Sequence, residues 1–219
     1  MQGSISARQI IDAFPYTSRE YIILNGLVRF GEKAFKEAMM ELPYSTRMIY
    51  INAFQSFIWN SVAVFRLACS REIICGDLID DRSIKSDITS ERIREVTEED
   101  LLLHGKSIDD VVLPLFGRSV KYPSNDSGRF YKTVLLAQGL IDSVQSESFT
   151  TIFDVSMTGA YRYLRQKVVD LELTINHDGQ TGITCSDDPA ISLSMNFKLP
   201  AGSFATAMIS ELTSNSTFL

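Results

Sequence analysis

The chain has 219 residues, 45% of them hydrophobic and 22% charged, which suits one large or two small globular domains and excludes a disordered or fibrous chain. Its net charge of −6 sets it apart from free-standing nucleic-acid-binding domains, which are usually basic. Three scattered cysteines (Cys69, Cys75, Cys185) and two distant histidines (His104, His177) give neither a disulfide framework nor a zinc-ligand spacing.

The N-terminus lacks the basic and apolar regions of a signal peptide. Ser6 is placed to cap a short helix ending near Phe14, and Thr17 or Ser18 a second one, which Gly26 and Gly31 would interrupt. Residues 32–42 have helical character and stop at Pro43. Ser45 then opens the longest helix, reaching about Cys69. Met48, Ile51, Phe54, Ile58, Val62, Phe65 and Cys69 recur at steps of three and four, the pattern of a core-facing stripe. Another face carries Asn52, Ser56, Trp59 and Arg66, flanked by Gln55 and Asn60. The uncharged run from Met48 to Phe65 is too short, and too rich in Asn, Gln and Ser, to span a membrane. An intracellular location follows, in nucleus or cytoplasm.

REIICGDLIDD reads as a short apolar strand ending at a Gly-Asp turn, and residues 80–96 as a surface loop. Thr97 caps a short helix with acids in its first turn. DDVVLPLFG is a buried strand broken by Pro114, KYPSNDSG a loop. Helices follow at about 128–139 and 145–153. Past Gly159 the period changes to two. Val169, Leu171, Leu173 and Ile175 alternate with polar residues, as do Ile191, Leu193, Met195 and Phe197, so two half-buried strands are expected. FATAMISEL closes the chain as a helix. The shift of element type near residue 155 marks a domain boundary.

Three segments could carry chemistry. In YINAFQSFIWN the amides could meet base edges or phosphates, the indole could stack, and Arg66 could neutralise charge. Equally, Trp59 could be core and the amides could cap backbone groups. In FKLPAGSFATAMISEL the start of the helix, with Gly202, Ser203 and Thr206, could hold a phosphate, or could be a plain strand-to-helix connection capped by Ser203. In GAYRYLR, Tyr161 and Tyr163 alternate with Arg162, either a stacking platform with a charged edge or an ordinary strand. The acids Asp77, Asp109, Asp110, Asp187 and Asp188 read as loop residues. Neither histidine has a visible triad partner, and no glycine-rich phosphate loop occurs.

Taken together, and in this order, the segments LPYSTRMIYINAFQSFIWN, CGDLI, VVLPLFG, YPSN, GAYRYL and LPAGSFATAMISEL resemble the TruD family of tRNA pseudouridine synthases, most of all its eukaryotic branch. The last is similar to the family's L-P-x-G-S-Y/F-A-T signature, the most specific of the set. The resemblance implies an α+β fold. Residues 1–155 would be most of a mostly helical insertion domain. Residues 156–219 would be the last strands and helix of a mixed-sheet synthase core. The implied reaction takes uracil off its C1′–N1 link, rotates it and rejoins it through C5, with the base flipped out of the RNA, an Asp as nucleophile and no cofactor or metal. The implied substrate is tRNA or another RNA.

By the same resemblance, Gln55, Ser56, Asn60 and Arg66 would face the cleft between core and insertion. Leu199, Gly202, Ser203, Phe204 and Thr206 would line one wall of the uridine pocket, with Tyr161 and Arg162 as further RNA contacts. The family's G-x-K-D-K/R-x-A-x-T-x-Q nucleophile motif and its N-Y-F-G-x-Q-R-F-G segment have no counterpart here, and both would align upstream of Met1. Ser210 stands where the family usually has Arg. The chain alone is therefore expected to be inactive, with the catalytic segment supplied in cis or in trans. Two other readings are a non-catalytic RNA-binding or protein-interaction module derived from the family, and one half of a split synthase. Two amphipathic strands and one helix cannot close a core sheet by themselves, so the isolated chain is expected to associate.

Overall fold

The computed structural model describes residues 6–81, 91–103, 105–140, 151–178, 190–200 and 202–213. These fall into two compact units that divide between Leu164 and Arg165. The periodicity places the change near 155. The division comes later because the strand at Ala160–Tyr163 completes the first unit's sheet.

The first unit opens with three short helices, α1 (Ala7–Ile10), α2 (Arg19–Phe30) and α3 (Phe35–Met40). Ser18 caps α2 by accepting from Tyr21 N at 3.1 Å. Gly26 does not interrupt α2. A Cβ there would lie 2.7 Å from Ala38 Cα, so the glycine lets α3 approach α2 closely. Gly31, with φ +118, ends the helix.

The 26-residue α4 (Tyr44–Cys69) is the unit's long axis. Its buried side chains are Ile51, Gln55, Ile58, Val62, Ala63 and Arg66. The steps of three and four hold, but the stripe is rotated from the expected one. Met48 and Cys69 are exposed, and two polar residues are buried in their place. Phe65 stacks on Phe130 with ring centroids 4.3 Å apart.

Behind α4 lies a four-stranded antiparallel sheet in the order β2-β1-β3-β6, made of β1 (Leu78–Asp80), β2 (Ile93–Glu95), β3 (Val111–Leu115) and β6 (Ala160–Tyr163). Here β1 follows the Gly76-Asp77 turn rather than preceding it. β2 occupies part of the stretch expected to be a loop, pairing Ile93 with Asp80. Pro114 does not break β3. β1 pairs only with Val111 and Val112, so the missing proline N–H falls where that flank of β3 is open. The 110s segment is then held by side chains from the helices. Trp59 Nε1 donates to Leu113 O at 3.1 Å, Tyr131 Oη to Pro114 O at 2.6 Å and Gln55 Nε2 to Phe116 O at 2.5 Å. Tyr131→Phe leaves the buried Pro114 carbonyl without its donor. Denaturant titration should show a loss of about 1–3 kcal/mol.

Thr97 and Asp100 cap α5 (Glu98–Leu103) reciprocally, and Asp100 also takes both ends of the Arg94 fork at 2.7 Å. Those bonds hold the Asp100 carboxyl well below the usual carboxylate range. Their contribution is therefore full above about pH 4 and fades as pH falls through the folded value. Half-exposure of Arg94 keeps it small. α6 (Asp126–Ala137) packs on α4 beside the sheet. Of the helix expected at 145–153, residues 151–152 instead form β4 (Thr151–Ile152), paired with β5 (Val155–Ser156) just beyond it, and 145–150 lie outside the described residues.

The second unit is a hairpin of β7 (Val169–Asp178) and β8 (Ala190–Lys198) followed by α7 (Ala205–Thr213). The strands pair antiparallel from Asp178↔Ala190 to Glu172↔Asn196, with a register shift before Val169↔Lys198 where Asp170 adopts φ +53. Met195 and Phe197 are half-buried as the alternation predicts, but most of the other apolar residues are exposed. Leu173, Ile175 and Leu193 are all more than half exposed.

Candidate functional site

The sequence motifs of the first unit converge on one buried ion pair. Arg66, in the last turns of α4, is fully buried, and its fork grips Asp77 with Nε to Oδ1 at 2.8 Å and Nη2 to Oδ2 at 2.6 Å. Its remaining donors reach Ser70 O at 2.7 Å and Glu72 O at 2.6 Å. Asp77 also accepts from Ile74 N at 3.0 Å and from Asn125 Nδ2 at 2.9 Å. Asn125 caps α6 with its own oxygen, accepting from Ser127 N. One cluster thus ties the end of α4, the Gly-Asp turn and the start of α6.

Glycines let these pieces interlock. A Cβ on Gly128 would lie 1.7 Å from Pro123 O, and one on Gly117 2.2 Å from Gly159 N. Gly159 itself has φ +84, so the glycine of VVLPLFG and that of GAYRYL cross each other. Gly76 (φ +81) has Ser124 and Asn125 of the YPSN segment against it.

The polar face expected on α4 therefore divides. Gln55, Trp59 and Arg66 are committed to internal partners. Asn60 is exposed and Ser56 half-buried. Arg162 of β6 lies against Ser56, its Nη1 3.5 Å from Ser56 Oγ, which joins two segments separated by 106 positions. The tyrosines flanking Arg162 turn to the other side of the sheet. Tyr161 is buried, with its Oη accepting from Lys121 N at 2.6 Å. Tyr163 donates from its hydroxyl to the buried carboxylate of Asp80, which also pairs with Arg92 at 2.7 Å. Period-two alternation puts the aromatics and the arginine on opposite faces, so they do not share a platform.

Among the second unit's candidates, Gly202 has φ +83 and open space around it, so backbone conformation rather than room requires glycine there. Ser203 N donates to Pro200 O at 3.2 Å, closing the turn. α7 begins two residues later, with Ala207 N donating to Phe204 O. Leu199 and Ser203 are half-buried, Thr206 is exposed, and Phe204 is 68% exposed. Ser210 Oγ bonds back to Thr206 O at 2.9 Å within the helix.

Residue pattern reads Asp77 as a loop acid, but it is fully buried because the Arg66 guanidinium pairs with it. Asn125 carries a signal only as the helix-capping Asn before Asp126. Among the described residues, no helix is long and apolar enough to cross a membrane, and no group of three His, Cys, Asp or Glu is placed to hold a metal.

The architecture is a mixed α+β fold. It is shared with a Methanosarcina mazei structure titled putative tRNA pseudouridine synthase D, at TM-score 0.66 and 20% identity over 94% of this chain and 46% of that one. The chain also matches the family profile described as TruD, tRNA pseudouridine synthase D, over residues 5–212. It belongs to the TruD family of tRNA pseudouridine synthases. Among curated relatives, it is 33% identical to Pseudouridylate synthase PUS7L of Mus musculus over 89% of this chain and 29% of that protein. It is 29% identical to Pseudouridylate synthase 7 homolog of Homo sapiens over 87% of this chain and 30% of that protein. The chain thus spans less than a third of the length of these relatives.

Proposed function

We propose that this chain is the C-terminal part of an enzyme that isomerises uridine to pseudouridine in tRNA or another RNA, and that its nucleophilic Asp comes from a segment outside these 219 residues. The observation that carries this reading is the family match over residues 5–212 together with the lack of any G-x-K-D motif in the sequence. In this reading residues 1–155 serve as the insertion domain, and residues 156–219 supply the last strands and helix of the catalytic core.

Not all the residues expected to meet RNA serve this reading equally. In the first unit Asn60, Ser56 and Arg162 carry it, because they keep exposed or half-exposed polar groups. In the second unit the stretch from Leu199 to Thr206 would form a wall of the uridine pocket, with Phe204 as the aromatic surface. Arg66, Gln55 and Tyr161 would act only by holding the scaffold. The chemistry needs no cofactor: the C1′–N1 bond breaks and the C5–C1′ bond forms, the C5 proton leaves to solvent and N1 takes one up, so the product is an isomer of the substrate.

The test is tritium release from C5-labelled tRNA. The chain alone should release none, and the chain combined with a family segment bearing G-x-K-D, fused or in trans, should release it. Release by the chain alone would overturn the proposal that the nucleophile lies elsewhere.

The exposed apolar residues of β7 and β8 support a protein neighbour for the second unit. In this reading the neighbour is the segment carrying the nucleophile, whether on the same chain or another.

A further inference from the structure

The YPSN segment and the first turns of α6 enclose a groove of about 610 Å3 that borders the glycine interlock but contains none of Ser56, Asn60 and Arg162. Its floor is Tyr122, Tyr131 and Leu135, and its rim carries Arg118, Arg129 and Lys132. All three cations are solvent-exposed. Arg129 pairs with Asp126 at 2.5 Å, but both partners are largely exposed and the pair is weak. Arg118 and Lys132 have no ion pair among the described residues. Glu95, the other acid nearby, accepts from Ser124 Oγ at 2.6 Å.

A rim with a surplus of positive charge stands out on a chain whose net charge is −6. The floor adds two fixed aromatic rings. The Tyr122 and Tyr131 rings meet edge to face, 5.3 Å between centroids, and their hydroxyls are bound to the carbonyls of Gly117 and Pro114. Burial pushes the Tyr122 phenol up to about 12 and the Tyr131 phenol higher than its usual range, so neither adds negative charge at neutral pH. Tyr131 and Leu135 are almost fully buried and only back the floor, so Tyr122, half-buried, is the one ring open beneath the rim. A cationic rim over a mostly apolar floor suits the phosphates of a strand, with a sugar or base edge against Tyr122.

We infer that this groove binds a phosphodiester segment of the RNA substrate, a second contact that reads backbone rather than base. It rests on the reading that the protein acts on RNA. Rim cations without fixed base-edge partners position the strand and leave the choice of uridine to the other site.

The experiment measures binding of the full chain to A and U oligomers of about twelve nucleotides, by fluorescence anisotropy from low to moderate salt. R118E/K132E should weaken both oligomers about tenfold or more at low salt. The milder R118Q/K132Q should lower the slope of log K against log salt by about 1.4, the value for two lost contacts on single strands. Unchanged thermal melting of both variants keeps folding out of the comparison. If wild type binds RNA and the variants bind equally well, or if only U oligomers lose affinity, the groove assignment is wrong while the RNA-modifying reading stands. Competition by oligo-glutamate as effective as that by RNA would overturn the phosphodiester assignment in favour of an acidic protein. If wild type binds neither oligomer below roughly 50 mM salt, the RNA reading itself fails and the groove with it.

Discussion

Asp77→Ala is expected to lower the stability of the first unit by about 3–5 kcal/mol, because it leaves the fully buried Arg66 guanidinium without its counter-charge. The loss would be confined to one ion pair if Arg66 and Asp77 touched only each other. They do not. Asp77 also holds Ile74 N and Asn125 Nδ2, and Arg66 also holds the carbonyls of Ser70 and Glu72. Swapping both partners for apolar residues, as in R66M/D77L, removes the stranded charge but takes a bond from each of those four groups, of which Glu72 O keeps Ser70 Oγ and Asn125 Nδ2 keeps Cys75 O. The double variant should therefore be less destabilised than the sum of the single ones, yet remain below wild type. Trp59 is the chain's one tryptophan and is bonded to Leu113 O, so its fluorescence in urea reports on this unit. A double variant as stable as wild type would mean that the surrounding hydrogen bonds contribute nothing. A single variant within about 1 kcal/mol of wild type would mean that the charge reaches water.

This cluster also marks the limit of what the sequence conveys. The helix over 44–69 could be read from steps of three and four because apolar burial repeats with the turn. That Gln55 and Arg66 lie on the buried face could not, because the pattern assigns polar residues to solvent. Their partners are 61 and 11 positions away, and only the folded chain brings them in range. The same holds for Arg162, placed beside Ser56 by β6 pairing with β3. The two period-two strands were legible in place and type. Their exposure was not, because alternation says which face is apolar and not what covers it. Short strands were hardest: β1 and β2 have three residues each, fewer than a period needs to declare itself. The motif order fared better than any local pattern, since the glycines and turns it contains are the residues that interlock.

Gly128→Ala separates the two reasons a glycine can be required. In a helix such as α6 the change would ordinarily gain about 1 kcal/mol from the better propensity of alanine. Here the new Cβ would lie 1.7 Å from Pro123 O, with the Pro123 carbonyl carbon at 2.8 Å. Both are backbone atoms, so no rotamer change relieves the clash. Either α6 or the YPSN turn must move. Moving the turn pulls Asn125 off Asp77, and moving α6 disturbs Tyr131 and the Phe65–Phe130 stack. A net loss of about 3 kcal/mol or more is expected, at the upper end for an overpacked site. Gly139→Ala is the matched control. It ends the same helix at φ +69, with Gly139 N bonded to Leu136 O and Leu140 N to Leu135 O, and nothing lies within 4 Å of its Cβ. Its cost is conformational only, about 1 kcal/mol. Equal losses at the two positions would refute the steric account. A stabilised Gly128→Ala variant would show that the YPSN turn yields freely and does not fix the ion-pair cluster.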